Sequence, residues 1–206
     1  MGFNFSALVA SDQFFDLRSM TRQIYGADVK LADDRSPIHK AMHPGEPYAA
    51  TVSGHHWLFD WERCERWMMG PPLARGTQVA YTLHSDLDFY GFTVFQEGKI
   101  FRQRIGTRRE GIVCDVGTPL EIEYEIITEL VGKEKLDAGL YAWYAERNSD
   151  CELKHWHIGT DIVFAILALQ TGVTLHHVRE SSDFFMQDAF RISLPETDCL
   201  TRFPQN

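Results

Sequence analysis

The sequence predicts an α+β fold, a mostly antiparallel sheet with helices packed on it. Three observations predict it: strand-like segments crowd the first half of the chain, two of them flank a tight Glu97-Gly98 turn, and helical patterns take over from Thr118. Strands first and helices later favour α+β over a doubly wound sheet, in which the two alternate.

The bulk numbers support one globular domain over residues 1–206. This length lies inside the single-domain range and buries roughly 70% of the surface that the unfolded chain exposes. The apolar supply matches, at 44% hydrophobic residues with 14 Phe, 7 Tyr and 5 Trp. A charged fraction of 24% is ordinary and argues against disorder. No internal repeat or low-complexity linker divides the chain.

The elements follow in order. Phe3, Phe5, Ala7 and Val9 alternate on one face of a first strand. Phe14, Leu17, Ile24 and Tyr25 mark a helix over about 12–25. Residues 32–46, with Asp33-Asp34, Pro37, Pro44 and Gly45, read as a long surface loop. Residues 48–59 are strand-like throughout, and 61, 64 and 68 then carry apolar side chains at helical spacing until Gly70-Pro71-Pro72.

The sharpest local pattern is a hairpin. Residues 89–96 and 99–105 flank Glu97-Gly98, a turn of the Asp-Gly type I′ kind. A regular register pairs Val94 with Phe101 and Tyr90 with Ile105, with Phe92 on the same apolar face. It sends Thr93, Arg102 and Arg104 to the other side. A strand over 77–83, burying Val79, Tyr81 and Leu83, completes a three-stranded meander over 77–105.

Thr118-Pro119-Leu120-Glu121 combines an N-cap Thr, Pro at the first helical position and a capping-box Glu. Ile122, Ile126, Ile127 and Leu130 are the apolar stripe of that helix. A second amphipathic segment carries Leu136, Leu140, Trp143 and Tyr144. Thr160 caps a third helix over 161–171, apolar nearly all round and therefore buried, and 189–194 returns as a strand.

Two blocks resemble a bacterial protein family of unknown function. The first, over 77–121, holds His84-Ser85, Asp88, Gly91-Phe92, Glu97-Gly98-Lys99 and Arg102, then the run from Gly111 to Glu121. The second, over 157–172, is the apolar helix preceded by His157-Ile158-Gly159. The resemblance implies a bacterial source and supports the hairpin, and it assigns no catalytic residue.

Charge and length bound the function. A net charge of -9 is unfavourable for phosphate neutralisation, so no nucleic-acid partner is expected. The most apolar window, 162–169, is far too short to span a bilayer. The N-terminus lacks the basic region of a signal peptide. It matches the Met-Gly-x-x-x-Ser acylation pattern without a second membrane signal, so a strand is the simpler reading and no membrane partner is expected. These points indicate a soluble cytoplasmic protein.

The strongest chemical candidate is His84-Ser85-Asp86-Leu87-Asp88. An extended backbone projects His84, Asp86 and Asp88 to one side, and imidazole with two carboxylates suits Zn, Mn or Fe. The competing reading is a polar turn between meander strands, in which Asp side chains cap backbone N–H groups. Adjacent His84 and Ser85 cannot align as base and nucleophile. His155 and His157 place two imidazoles on one face of a strand and would complete a metal site.

Arg102 and Arg104, with Arg108 and Arg109 nearby, are the one basic concentration, suited to an anion or partner contact or to salt bridges with Glu121, Glu123 and Glu125. No G-x-G-x-x-G, P-loop, G-x-S-x-G or H-E-x-x-H occurs, so no cofactor is expected. The sequence therefore favours a non-catalytic binding or accessory module acting through protein–protein contact, with a protein partner or a second copy. The alternative is a metal-dependent hydrolase built on the His84/Asp86/Asp88 cluster.

Cys64, Cys114, Cys151 and Cys199 lie far apart with no C-x-x-C pair, which predicts reduced thiols. Intact mass after alkylation under denaturing, non-reducing conditions is expected to show all four labelled. Two labels or none would contradict it.

Overall fold

The computed structural model describes residues 4–10, 16–38, 45–84, 89–107, 109–131, 155–171 and 188–194. Among them, nine strands form one sheet: β1 (Asn4–Ala10), β2 (Lys30–Pro37), β3 (Tyr48–Val52), β4 (His55–Phe59), β5 (Thr77–His84), β6 (Phe89–Gln96), β7 (Lys99–Thr107), β8 (Gly111–Val116) and β9 (Asp188–Ser193). Their order is β2-β9-β3-β4-β1-β5-β6-β7-β8, and every neighbouring pair is antiparallel. Four helices complete the described elements: α1 (Leu17–Tyr25), α2 (Trp61–Met69), α3 (Glu121–Val131) and α4 (His155–Thr171). The fold is α+β, with the predicted meander β5-β6-β7 lying between β1 and β8 in the sheet.

The pleat sorts side chains onto two covered faces. Ala7, Val9, Trp57, Tyr81 and Phe92 pack with Ile127 of α3 and Ile162 and Ile166 of α4. Leu8, Ala10, Leu58 and Ala80 pack on the other side with Met20 of α1 and Cys64 and Trp67 of α2. Helices on both faces explain why β5 and β6 are buried almost end to end instead of alternating.

Local chemistry starts the two helices of the second face. Asp16 and Asp60 are the N-caps of α1 and α2, and each accepts a backbone N–H three residues on, from Ser19 at 2.8 Å and Arg63 at 3.0 Å. Gly70 ends α2 as predicted, with its N–H bonded to Arg66 O.

Four expectations need correction. Residues 32–46 are not a loop throughout, because 30–37 form edge strand β2 against β9, with an irregularity between Leu31 and Arg35. The partner of β2 lies some 150 residues on in the sequence, beyond local pattern, and an edge tolerates both the charges and Pro37. Residues 48–59 are two strands rather than one, folded at Ser53-Gly54, where both φ are positive (51° and 78°) as a type I′ turn requires. Helix α4 begins at His155, before Thr160. The segment around Leu136 to Tyr144 lies outside the described residues.

The fourth correction concerns the hairpin register. Glu97 and Gly98 do adopt positive φ (48° and 72°), and a Cβ on Gly98 would sit 2.8 Å from Ala74 O. The strands then slip: Phe95 pairs with Ile100 but Val94 with Arg102, leaving Phe101 as the extra residue of a β-bulge. With side chains alternating at period two, that single insertion moves Arg102 and Arg104 onto the face of Val94 and Phe92. Ile105 moves to the opposite face, and Phe101 is left 48% exposed.

The buried helix is where the sequence places it, with Ile162, Val163, Phe164, Ile166 and Leu167 buried and Leu169 exposed. Its close approach rests on glycine. A Cβ on Gly159 would lie 2.1 Å from Tyr90 Cε2, and one on Gly106 of β7 would lie 2.3 Å from the same ring. Helix propensity alone would make Gly159→Ala stabilising by about 1 kcal/mol. The clash with a walled-in aromatic ring reverses the sign. Urea melts of Gly159→Ala are expected to show a loss of about 1–3 kcal/mol, and an unchanged or raised midpoint would refute the packing.

Candidate functional site

The bulge assembles the most elaborate polar cluster among the described residues. Arg102 is fully buried, and its Nε and Nη2 donate to the two oxygens of buried Glu123 on α3 at 2.6 and 2.7 Å, a bidentate fork. Its Nη1 reaches Asp115 on β8 and Val116 O. Arg104, 2% exposed, holds Nη1 3.6 Å from Glu123 and 3.8 Å from Asp115. The nearby Arg104 charge favours an ionised Tyr90 phenol, but burial outweighs it and pushes the phenol up to about 12.

Glu123 has a further task. Its Oε1 accepts the Leu120 N–H at 2.9 Å, closing the first turn of α3. The capping carboxylate is therefore Glu123 and not Glu121, which is exposed along with Glu125. Burial would push the Arg102 guanidinium down, yet the hydrogen bonds and charges of Glu123 and Asp115 prevail and hold it protonated. Two guanidiniums face two carboxylates, so the formal charges cancel. Arg102 and Arg104 do not lie on the outer hairpin face that a regular register predicts, and their guanidiniums are directed at carboxylates of the same chain. Of their neighbours, Arg109 is exposed and Arg108 lies outside the described residues.

His84 anchors a second cluster on the opposite face. It sits at the end of β5, 9% exposed, with Nε2 3.1 Å from Ser6 Oγ on β1. Ser6 Oγ is also 3.1 Å from Thr82 Oγ1 and within hydrogen-bond reach of the Cys64 thiol, which donates to Tyr81 O. The Trp61 ring lies 3.5 Å from the imidazole, centroid to centroid, with Phe89 edge-on. Burial pushes the Cys64 thiol up to about 12, so it is not an activated thiolate.

A hydroxyl within reach of an imidazole is the geometry of an activated nucleophile. Here the hydroxyl is 3% exposed beneath α2, shielded from an incoming carbonyl in this conformation. Sequence reading weighed Ser85 as the partner of His84 and missed Ser6, because 78 residues separate the pair. The signal was present only as β1–β5 parity, in which Ser6 pairs directly with Thr82.

Of the other predicted ligands, only the backbone positions of His155 and His157 are described. Asp86 and Asp88 lie outside the described residues. His155 and His157 belong to the first turn of α4 and not to a strand. Helix α4 packs on the α3 side of the sheet, whereas His84 packs under α2. Among the described residues no group of three His, Cys, Asp or Glu side chains has metal-binding geometry.

Among the described residues the other buried acid is Asp60, which accepts from Tyr25 Oη at 2.8 Å while capping α2. Arg63 stacks over the Tyr25 ring, its Cζ 4.6 Å from the centroid. Burial raises the Asp60 carboxyl above its ordinary 3.8, against the opposing hydrogen bonds from Tyr25 and Arg63.

Exposed apolar side chains gather on the last two strands. Ile100 and Phe101 of β7 are 38% and 48% exposed, and Val113 and Val116 of β8 are 47% and 43% exposed. Among the described strands β8 ends the sheet order, and a second irregularity at Ile105/Gly106 leaves Val113 out of the β7 ladder. Among the described residues β8 pairs only with β7.

Two outcomes follow from the buried acids. Glu123→Ala strands Arg102 in the core and removes a cap, so chemical denaturation is expected to show a loss of about 3–5 kcal/mol. The paired replacement Arg102→Met with Glu123→Leu leaves Arg104 opposite Asp115 and is expected to cost less, and a single variant within 1 kcal/mol of wild type would contradict the pairing. For Asp60 the folded value exceeds the unfolded one. Its contribution is therefore full below the unfolded value and fades as pH rises through the folded one. The stability of wild type minus that of Asp60→Asn, which keeps both acceptor and cap, is expected to fall from acidic to neutral pH. A difference that rises instead would exclude a raised carboxyl.

The comparisons add no relative to this geometry: no family model, no curated protein and no solved structure matches the chain. The resemblance over 77–121 and 157–172 thus rests on the quoted residues alone.

Proposed function

We propose that this chain works by binding rather than by catalysis, as an accessory module of the bacterial cytoplasm whose β8 edge engages a protein partner or a second copy of itself. The observation that carries this reading is the contrast between the two sheet edges. Edge β2 holds Lys30, Asp33, Asp34, Arg35 and Pro37, the charges and proline that discourage strand addition. Edge β8 reads Gly-Ile-Val-Cys-Asp-Val, with Val113 and Val116 exposed and Asp115 turned inward to Arg102. An unguarded apolar edge accepts an extended segment through main-chain hydrogen bonds.

The ionisable groups support the same reading. Arg102, Arg104 and Glu123 are buried against one another, and the Ser6–His84 pair is roofed by α2. Among the described residues no helix is long and apolar enough to cross a membrane.

The experiment compares wild type with Val113→Lys/Val116→Lys, a pair of exposed positions, in co-purification from the native cell and in sedimentation. A defined partner or dimer present with wild type and lost from the variant, at an unchanged melting temperature, is the expected result. Retention by the variant would remove the β8 edge from the reading. The hydrolase alternative is tested in protein never exposed to nickel resin. Stoichiometric metal and turnover that both vanish in a still-folded His84→Ala/Asp86→Ala/Asp88→Ala variant would replace the binding reading altogether.

A further inference from the structure

We draw no further inference here: the strongest candidate, the exposed apolar strip of Ile100, Phe101, Val113 and Val116 along the β7–β8 edge of the sheet, belongs to the binding surface already proposed, and nothing in the structure shows which strand covers it.

Discussion

The forked ion pair between Arg102 and Glu123 is the constraint around which this half of the molecule is arranged. Removing both charges from water costs several kcal/mol per ion, and only near-ideal geometry with further hydrogen bonds offsets that cost. The pair has both: two short contacts within the fork, the Leu120 N–H on the carboxylate, and Asp115 with Val116 O on the guanidinium. Each contact ties a different element. The fork seats α3 over β7, Asp115 binds β8 to the same point, and Arg104 adds a second guanidinium against the same two carboxylates. The bulge at Phe101 is the backbone's accommodation to this requirement, because a regular ladder would turn both arginines toward α2.

The opposite face obeys the same rule with neutral groups. Thr93 and Gln103, paired across β6 and β7, both donate to Met68 O at the end of α2, and Gln78 donates to Leu73 O and Arg75 O. These side chains satisfy carbonyls that a helix end or tight loop would otherwise bury unbonded. The sheet thus separates a charged seam under α3 from an amide and hydroxyl seam under α2. Tyr90, held between Gly106 and Gly159, fills the space that lets α4 pack against the charged side.

This arrangement bears on function through what each group can reach. Catalysis needs an acid, base, nucleophile or metal ligand facing a substrate. The arginines and Glu123 face one another, His84 faces Ser6 and two aromatic rings, and Asp60 faces Tyr25 and the first turn of α2. Among the described residues, large exposed apolar side chains lie on β7 and β8, at Ile100, Phe101, Val113 and Val116, and on the helices at Met69, Tyr124 and Leu169.

What the sequence determined by itself was local. The Glu97-Gly98 turn, the β5–β6–β7 meander, the end of α2 at Gly70 and the burial of the 162–167 stretch all follow from turn residues, caps and periodicity within a dozen positions. What the tertiary structure alone decided was partnership across distance. β2 becomes a strand only because β9 lies beside it, Ser6 meets His84 only because β1 enters the sheet next to β5, and Glu123 is chosen over Glu121 only because it lies over Arg102. The inward turn of Arg102 and Arg104 belongs to the same class. Alternation predicts an outward face, and one inserted residue reverses it, because a strand's two faces differ by a single step. That step is set by the burial energy of partners that no local pattern contains.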